Sequence, residues 1–335
     1  MHYIHEHLDK SQNYVRTLFV DFSSAFNTIQ PHLLIEKLIK MCVNPRISLW
    51  INYFLSHRIQ RVLFMNSVSD NICTSTGAPQ GCVLSPVLFS LYSSDYRTTH
   101  PSCPIIKYAD DTSLTGLISR NDDSFYRKEI DSFFKWCDFN FLELNVSKIK
   151  EMMFDFRKTK TEIEPICIHG TRVETVTDFK YLGTFIDSNL NWKTNTQRLV
   201  AKANQRMYFI RKLKSFRVCN DILFLFYQSV IQSIITSCIT VWYGNLRAKD
   251  IRKLERVTKA ASKTIGLDVK HIHSIFESAI TSKLCAIMQE PKHPLHASVV
   301  VNRSGRIRAP CTNTKRFRMS FLPNACHLFN TAFKR

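Results

Sequence analysis

Apolar positions change their period along the chain. Up to about residue 187, short β-rich runs alternate with helical stretches, and from about 193 the period is helical almost throughout. Residues 2–12 predict a helix. Tyr14–Asp21 follows as an apolar run of strand character ending in a carboxylate, and Phe22–Ile29 is expected to turn into a helix. Pro31 opens another helix, PHLLIEKLIKM. Residues 47–65 predict a helix and then a strand carrying Arg58 and Arg61, and Val83–Tyr92 predicts an apolar helix. Residues 105–114 have apolar runs on both sides of Asp110-Asp111, the pattern of a hairpin with two acids at its turn. Residues 121–142 show helical spacing of Phe125, Ile130, Phe133, Phe134, Trp136, Cys137 and Phe141, which predicts a core-facing stripe. A loop at 144–150, a strand at Glu151–Phe156 and further strands over 165–187 complete the first part. Basic helices are expected at 195–217 and 249–265.

Charge sharpens this division. The net charge is +19, yet residues 1–187 hold 20 Lys+Arg against 21 Asp+Glu, while residues 188–335 hold 26 against 6. A region of +20 suits a polyanion such as nucleic acid, although a merely soluble cationic domain has the same composition. Within 195–217, Arg198, Lys202, Arg206, Arg211, Lys212, Lys214 and Arg217 include several at three- or four-residue spacing, which predicts a shared face. Residues 222–246 carry no charge over 25 positions, but Gln228, Ser229, Gln232, Ser233, Thr236, Ser237 and Thr240 recur through them. A buried core helix is expected there rather than a membrane span. The 11 cysteines are dispersed with no Cys-x-x-Cys, which suits free thiols in a reducing compartment. Cys285, His293 and His296, or Cys311, Cys326 and His327, lack a recognisable zinc spacing. The N-terminus MHYIHEHLDK lacks the apolar core of a secretion signal.

The candidate chemistry starts from the acids. Adjacent carboxylates at a turn repel one another, an arrangement that costs stability unless a cation sits there. Taken alone, Asp110-Asp111 reads as a solvated turn, and its weight comes from the other stretches. Asp21 sits where a strand would hold a metal ligand at an open end, and an N-cap aspartate has the same appearance. Thr76-Gly77-Ala78-Pro79-Gln80-Gly81 places two of the chain's eight glycines in one loop, which brings backbone close to something.

Together the stretches LFVDFSSAFNTI, GAPQGCVLSPVLFSLY, IIKYADDTSL, LELNVSK and FKYLG, in this order, closely resemble the reverse transcriptases of non-LTR (LINE-type) retrotransposons, most of all a vertebrate clade. The resemblance runs from about residue 2 to 331. It implies an α+β fold: a right-hand polymerase palm over 1–187 (an antiparallel sheet with packed helices), an α-helical basic thumb over 188–275, and a basic C-terminal tail over 276–335. The implied activity is RNA-directed DNA polymerisation, with dNTPs joined to a DNA primer 3′-hydroxyl along an RNA template. The implied cofactors are two Mg²⁺ or Mn²⁺ ions. Asp21 and Asp110 match the ligands of both ions, and Asp111 matches a weaker one. Phe26 matches the aromatic gate against a 2′-hydroxyl. Gly77, Pro79, Gln80 and Gly81 match the loop touching nucleotide and template base, and Tyr108 the aromatic of the acidic box. Lys148 matches a proton donor or charge partner of the pyrophosphate. Phe179, Tyr181, Leu182 and Gly183 match a primer grip, and Arg198, Lys202 and Arg206 fall on a phosphate-tracking thumb helix.

The pattern has departures. Asn27 and Ile149 stand where the family often has Asp and Thr, and Ile149 would alter the loop bearing Lys148. Only about 20 residues precede Asp21, where the family places its fingers, and an upstream endonuclease is also missing. The expectation is therefore a truncated copy with weak polymerase activity or none; the alternative is an inactive remnant that only binds nucleic acid. Neither a membrane nor a stable protein partner is expected. Residence is expected in the nucleus or cytoplasm, without secretion.

Overall fold

Seven consecutive buried residues, Tyr14–Val20, form the central strand. In the computed structural model, which describes residues 1–160 and 162–332, the elements up to the acidic turn are α1 (His2–His7), β1 (Tyr14–Val20), α2 (Pro31–Lys40), α3 (Pro45–Leu55), β2 (Arg58–Gln60), β3 (Leu63–Phe64), β4 (Ser67–Val68), β5 (Ile72–Thr74), α4 (Leu84–Tyr92) and β6 (Ile105–Tyr108). Then come β7 (Asp111–Ile118), α5 (Ser124–Phe139), β8 (Lys150–Asp155), β9 (Cys167–Ile168), β10 (Thr171–Arg172), β11 (Glu174–Val176), β12 (Asp178–Tyr181) and β13 (Thr184–Asp187). The remainder is helical: α6 (Lys193–Ser215), α7 (Asn220–Phe226), a π-helical segment (Tyr227–Gln232), α8 (Ser233–Thr236), α9 (Ile239–Trp242), α10 (Ala248–Ile265), α11 (Ile272–Gln289), α12 (Lys315–Arg318) and α13 (Phe321–Ala332). The fold is α+β.

The chain forms two compact units. Val15–Met153 with Thr159–Val176 make a sheet unit, and Met1–Tyr14, Phe154–Lys158 and Thr177–Arg335 make a helical unit. The N-terminal residues thus belong with the helices, and the hairpin β12–β13 lies in the helical unit, so the division falls at 176–177 where 187–188 was expected. Within 276–335, α13 packs on α11.

In the sheet unit the strand order is β11-β8-β1-β7-β6. β6 and β7 pair antiparallel, but β11 joins β8 in parallel. The sheet is therefore mixed rather than wholly antiparallel, because the chain loops out through the hairpin β9–β10 and re-enters β11 in the same sense as β8. α5 packs on β7, burying Tyr126, Ile130, Phe133, Phe134 and Cys137. Phe125 and Phe141, expected in that stripe, are exposed. Gly116 in β7 permits the close approach: a Cβ there would lie 2.6 Å from the Tyr126 ring. Beneath the sheet, fully buried Arg16 donates to both Glu151 oxygens at 2.8 and 2.9 Å and to Asp123 at 2.5 Å, and the Tyr126 hydroxyl donates to Glu151. A buried guanidinium keeps its charge only when paired in this way.

In the helical unit α6 packs on α10, with Leu199, Ala203, Met207 and Ile210 opposed to Leu254, Val257, Ala261 and Ile265. Several cations of α6 share one broad face, with Arg206 next to Lys202 at its edge. At 100° per residue Arg198, Lys202 and Lys212 project together, Arg211 and Lys214 project elsewhere, and all are exposed because only a narrow strip of this long helix is covered. Residues 222–246 are not a buried core helix. The segment Asn220–Asn245 is long and apolar enough to cross a membrane by length and composition, and only 28% of its most apolar window is buried. Leu223, Tyr227, Ile231, Ile235 and Ile239, four residues apart, form the buried face. The wider π-helical turn keeps this four-residue spacing in line, and Cys238 (φ 51°) breaks the run.

Candidate active site

β1 delivers Asp21 to the edge of the core, and a neighbouring segment holds it there. The Asn145 amide donates to the Asp21 carbonyl at 2.9 Å, the Ser23 amide donates to Glu143 at 2.8 Å, and Phe22 pairs with Leu144. Residues 23–27 then turn rather than form the expected helix. The loop 145–148 leaves this anchor and carries Lys148, whose Nζ lies 3.6 Å from Asp21 Oδ2. That oxygen is shielded from solvent and accepts no hydrogen bond. Ile149, the departure noted in the sequence, is fully buried beneath the loop, with its amide bonded to Asn145. The loop forms with Ile149 as part of the core.

The acidic pair sits where the pattern placed it. Tyr108 pairs with Asp111 across β6 and β7, so Ala109 and Asp110 make a two-residue turn, with Ala109 left-handed (φ 52°). Side chains set the level of β7 against β1. Thr17 Oγ1 and Thr115 Oγ1 lie 3.2 Å apart. Asp21 is four residues beyond Thr17, and Asp111 four residues before Thr115. The charge of Asp21 reaches the Asp111 carboxyl, and on adjacent strands joined at Thr17 and Thr115 that proximity requires opposite senses, which bring Asp21 level with Asp111. Burial, then Asp110, then Asp21, raise the Asp111 carboxyl above its ordinary value. Lys107, on β6 beside the turn, donates to the Ser93 and Tyr96 carbonyls at 2.5 and 2.8 Å, tying the hairpin to the end of α4; burial pulls its pKa down to about 8.

Three carboxylates make a hard-oxygen donor set suited to Mg²⁺ or Mn²⁺, and a shielded Asp21 oxygen that accepts no hydrogen bond and has drawn in the Lys148 ammonium, beside a raised Asp111, fits a cation. Among the described residues no three His, Cys, Asp or Glu side chains converge on a common point. Asp110 and Asp111 are both exposed at the turn.

The glycine loop is pinned beside Phe26. The Ala78 amide donates to the Phe26 carbonyl and the Gly77 amide to the Ile29 carbonyl, both at 2.7 Å. Gly77 has φ 76°, and a Cβ there would lie 2.8 Å from Asn27 Cα. No other residue fits. The Phe26 ring is half-buried, edge-on to Phe89 at 5.8 Å. Gln80 reaches Asn27 Oδ1 at 3.4 Å, the Pro79 carbonyl accepts from Ser85, and Gly81 is exposed. A cleft of about 450 Å³ opens here, lined by Asn27, Thr76, Pro79 and Gln80 together with Arg58. Arg58 donates to the Gly77 carbonyl at 2.9 Å and to that of Thr76. The sequence reading assigned Arg58 no role. A lone arginine on a strand gives little signal, and only its 19-residue reach to the loop marks it. Tyr108 is largely exposed on β6.

The remaining expected residues gather in the helical unit. Phe179 and Tyr181 lie on β12, and Leu182 and Gly183 form the left-handed turn (φ 46° and 82°) leading to β13. Arg198 stacks over Phe185 of β13 at 5.5 Å, so the start of α6 is joined to this hairpin. Lys202 and Arg206 are exposed further along α6.

An acid at a strand end, level with an acidic pair at a hairpin turn and accompanied by a pinned glycine loop, defines a carboxylate centre on an α+β fold. The sequence matches the reverse transcriptase (RNA-dependent DNA polymerase) family over residues 1–186, more than half the chain, and the protein belongs to that family. Similar proteins include a probable RNA-directed DNA polymerase from transposon BS of Drosophila melanogaster, 26% identical over 213 residues, or 60% of this chain and 23% of that protein. The RNA-directed DNA polymerase from mobile element jockey of the same fly is 26% identical over 216 residues, again 60% and 23%. The chain spans about a quarter of the length of these relatives. A short stretch, residues 192–233, matches the N-terminal region of alkylated DNA repair protein alkB homolog 8. Among solved structures, telomerase from Candida tropicalis in complex with a fragment of telomeric RNA has 10% identity and a TM-score of 0.44, covering 88% of this chain and 50% of that one.

Proposed function

We propose that this chain is the polymerising core of a non-LTR retrotransposon reverse transcriptase, adding dNTPs to a DNA primer 3′-hydroxyl along an RNA template and releasing pyrophosphate. The observation that carries the reading is the register that brings Asp21 level with Asp111 beside the Asp110 turn. On this reading the sheet unit is the palm, and α6 with the hairpin β12–β13 belongs to the thumb side. Asp21 and Asp110 hold the divalent ions, with Asp111 as a weaker ligand. Two Mg²⁺ or Mn²⁺ ions, when bound, ease deprotonation of the primer hydroxyl and neutralise the leaving pyrophosphate.

The chain's own residues do the rest. Lys148, whose ammonium lies 3.6 Å from Asp21, would offer that ammonium to the leaving pyrophosphate as proton donor or charge partner. Phe26, wedged edge-on against Phe89, presents a fixed ring at the sugar and leaves no room for a 2′-hydroxyl. The loop from Gly77 to Gly81 sets nucleotide against template base, with Arg58 bracing its carbonyls. Tyr108 flanks the turn. Phe179–Gly183 grip the primer, and Arg198, Lys202 and Arg206 meet backbone phosphates. Work in a reducing nuclear or cytoplasmic setting is part of the same reading. RNA-templated dNTP incorporation tests it: Asp21→Asn should abolish incorporation and weaken Mn²⁺ binding while leaving circular dichroism unchanged. Undiminished incorporation by that variant would refute the assignment.

A further inference from the structure

Three parts of the candidate site are fastened to one short helix. α4 spans nine residues, a length of about 14 Å. At its start the Ser85 hydroxyl donates to the Pro79 carbonyl of the glycine loop. At its end two side chains lead to the two acid-bearing segments. The Lys107 ammonium, reaching in from β6, donates to the Ser93 and Tyr96 carbonyls at 2.5 and 2.8 Å. The fully buried Tyr92 hydroxyl donates to the Asn140 carbonyl at 2.6 Å. Asn140 ends α5, and the chain runs directly from it to 143–145, the segment that holds Asp21.

The hairpin needs such a tie. β6 is an edge strand with β7 as its one neighbour in the sheet. Ile106 and Tyr108 face outward and are exposed, while Lys107 turns inward. Among the described residues no other side chain of 105–111 makes a hydrogen bond. Packing alone would be served by an apolar residue, since burying an ammonium costs free energy unless its donors are satisfied. No carboxylate bonds Lys107: Asp95, whose charge favours the ammonium, is held by Lys37 at 2.9 Å instead. What Lys107 has is the carbonyl end of a helix, where a cation is favoured.

We propose that Lys107 and Tyr92 are positioning residues, setting the Asp110 turn and the Asp21 strand end at fixed levels relative to the glycine loop, with α4 as the common support. The inference rests on reading the acids as a divalent-cation site, and it goes further by giving roles to two side chains that touch neither cation nor nucleotide.

Titration of the full chain with Mn²⁺, followed by electron paramagnetic resonance of the free ion, tests it without requiring polymerisation. Lys107→Met should bind Mn²⁺ about tenfold more weakly, the scale on which supports of metal ligands act. Removing a cation near carboxylates would by charge alone tighten binding, so a fall reports position. Lys107→Arg, which keeps charge and donors, should stay within about threefold of the parent, and Tyr92→Phe, which removes one oxygen, should weaken binding about threefold. Tyr126→Phe is the matched control, because its hydroxyl bonds Glu151 beneath the sheet. It should lower the urea midpoint as Tyr92→Phe does, yet change Mn²⁺ affinity less than about twofold. Asp21→Asn is the reference. Affinity lost there but undiminished in either Lys107→Met or Tyr92→Phe overturns the inference alone, as does an equal loss in Tyr126→Phe and Tyr92→Phe. Affinity unchanged in Asp21→Asn overturns the cation site and the inference with it.

Discussion

Asp111 carries the electrostatic strain of the acidic turn. Its carboxyl is raised by burial, by Asp110 and by Asp21. A group protonated more readily when folded loses stability as pH rises from its ordinary value through its folded one, and the loss is complete once the pH is above the folded value. Asp111→Asn removes that cost. The cation-free variant should therefore melt roughly 1–2 °C above the parent at neutral pH, the gain vanishing in acid, while Mg²⁺ or Mn²⁺ stabilises the parent more than the variant. Thermal melts with and without Mn²⁺ check this, and a variant that melts lower at neutral pH contradicts it. Gly77 is constrained by space as well as by φ. Gly77→Ala should cost ~2 kcal/mol or more by pushing the loop off Asn27, seen as a lower urea midpoint, whereas exposed Gly81, with nothing within 4 Å of a Cβ, should tolerate alanine far better.

Among the elements, those set by local chemistry were legible in the sequence. The acidic hairpin, α2 with Pro31 at its start, and α4 after the glycine loop all form close to where apolar period and turn residues place them. Elements decided by distant partners were not. Residues 22–29 have helical composition, but pairing with 143–145 holds them as a turn. Phe125 and Phe141 share the spacing of the α5 stripe yet stay exposed, because that stripe leans toward β7. Arg16 is a polar residue inside an apolar run, and its partners Asp123 and Glu151 lie 107 and 135 residues away. No local pattern reveals such a network. Removing the guanidinium leaves the buried Glu151 carboxylate without a cation, while Asp123 keeps Arg127 at 3.1 Å, so Arg16→Met should destabilise the protein by roughly 3–5 kcal/mol, more than the loss of an exposed cation on α6. Comparable urea midpoints for Arg16→Met and Lys202→Met would contradict this.

At the scale of the whole molecule the charge asymmetry was the most readable feature, since composition alone separates an acidic-centred first half from a cationic second half. How those cations are arranged was partly readable. On α6 Arg198, Lys202, Arg206 and Lys212 share a broad face of about 120°, as the spacing suggested, while Arg211 and Lys214 project elsewhere. The acids Asp21, Asp110 and Asp111 were legible as a set only through the order of five motifs; the structure adds the Thr17–Thr115 register that levels them. The most direct measurement of the central claim is primer extension on an RNA template with dNTPs and Mn²⁺ or Mg²⁺, beside an Asp110→Asn/Asp111→Asn control. Weak, metal-dependent extension by the parent and none by the control is the predicted result. RNA binding intact in both, with no extension by either, would contradict a polymerising centre and leave a nucleic-acid-binding protein in its place.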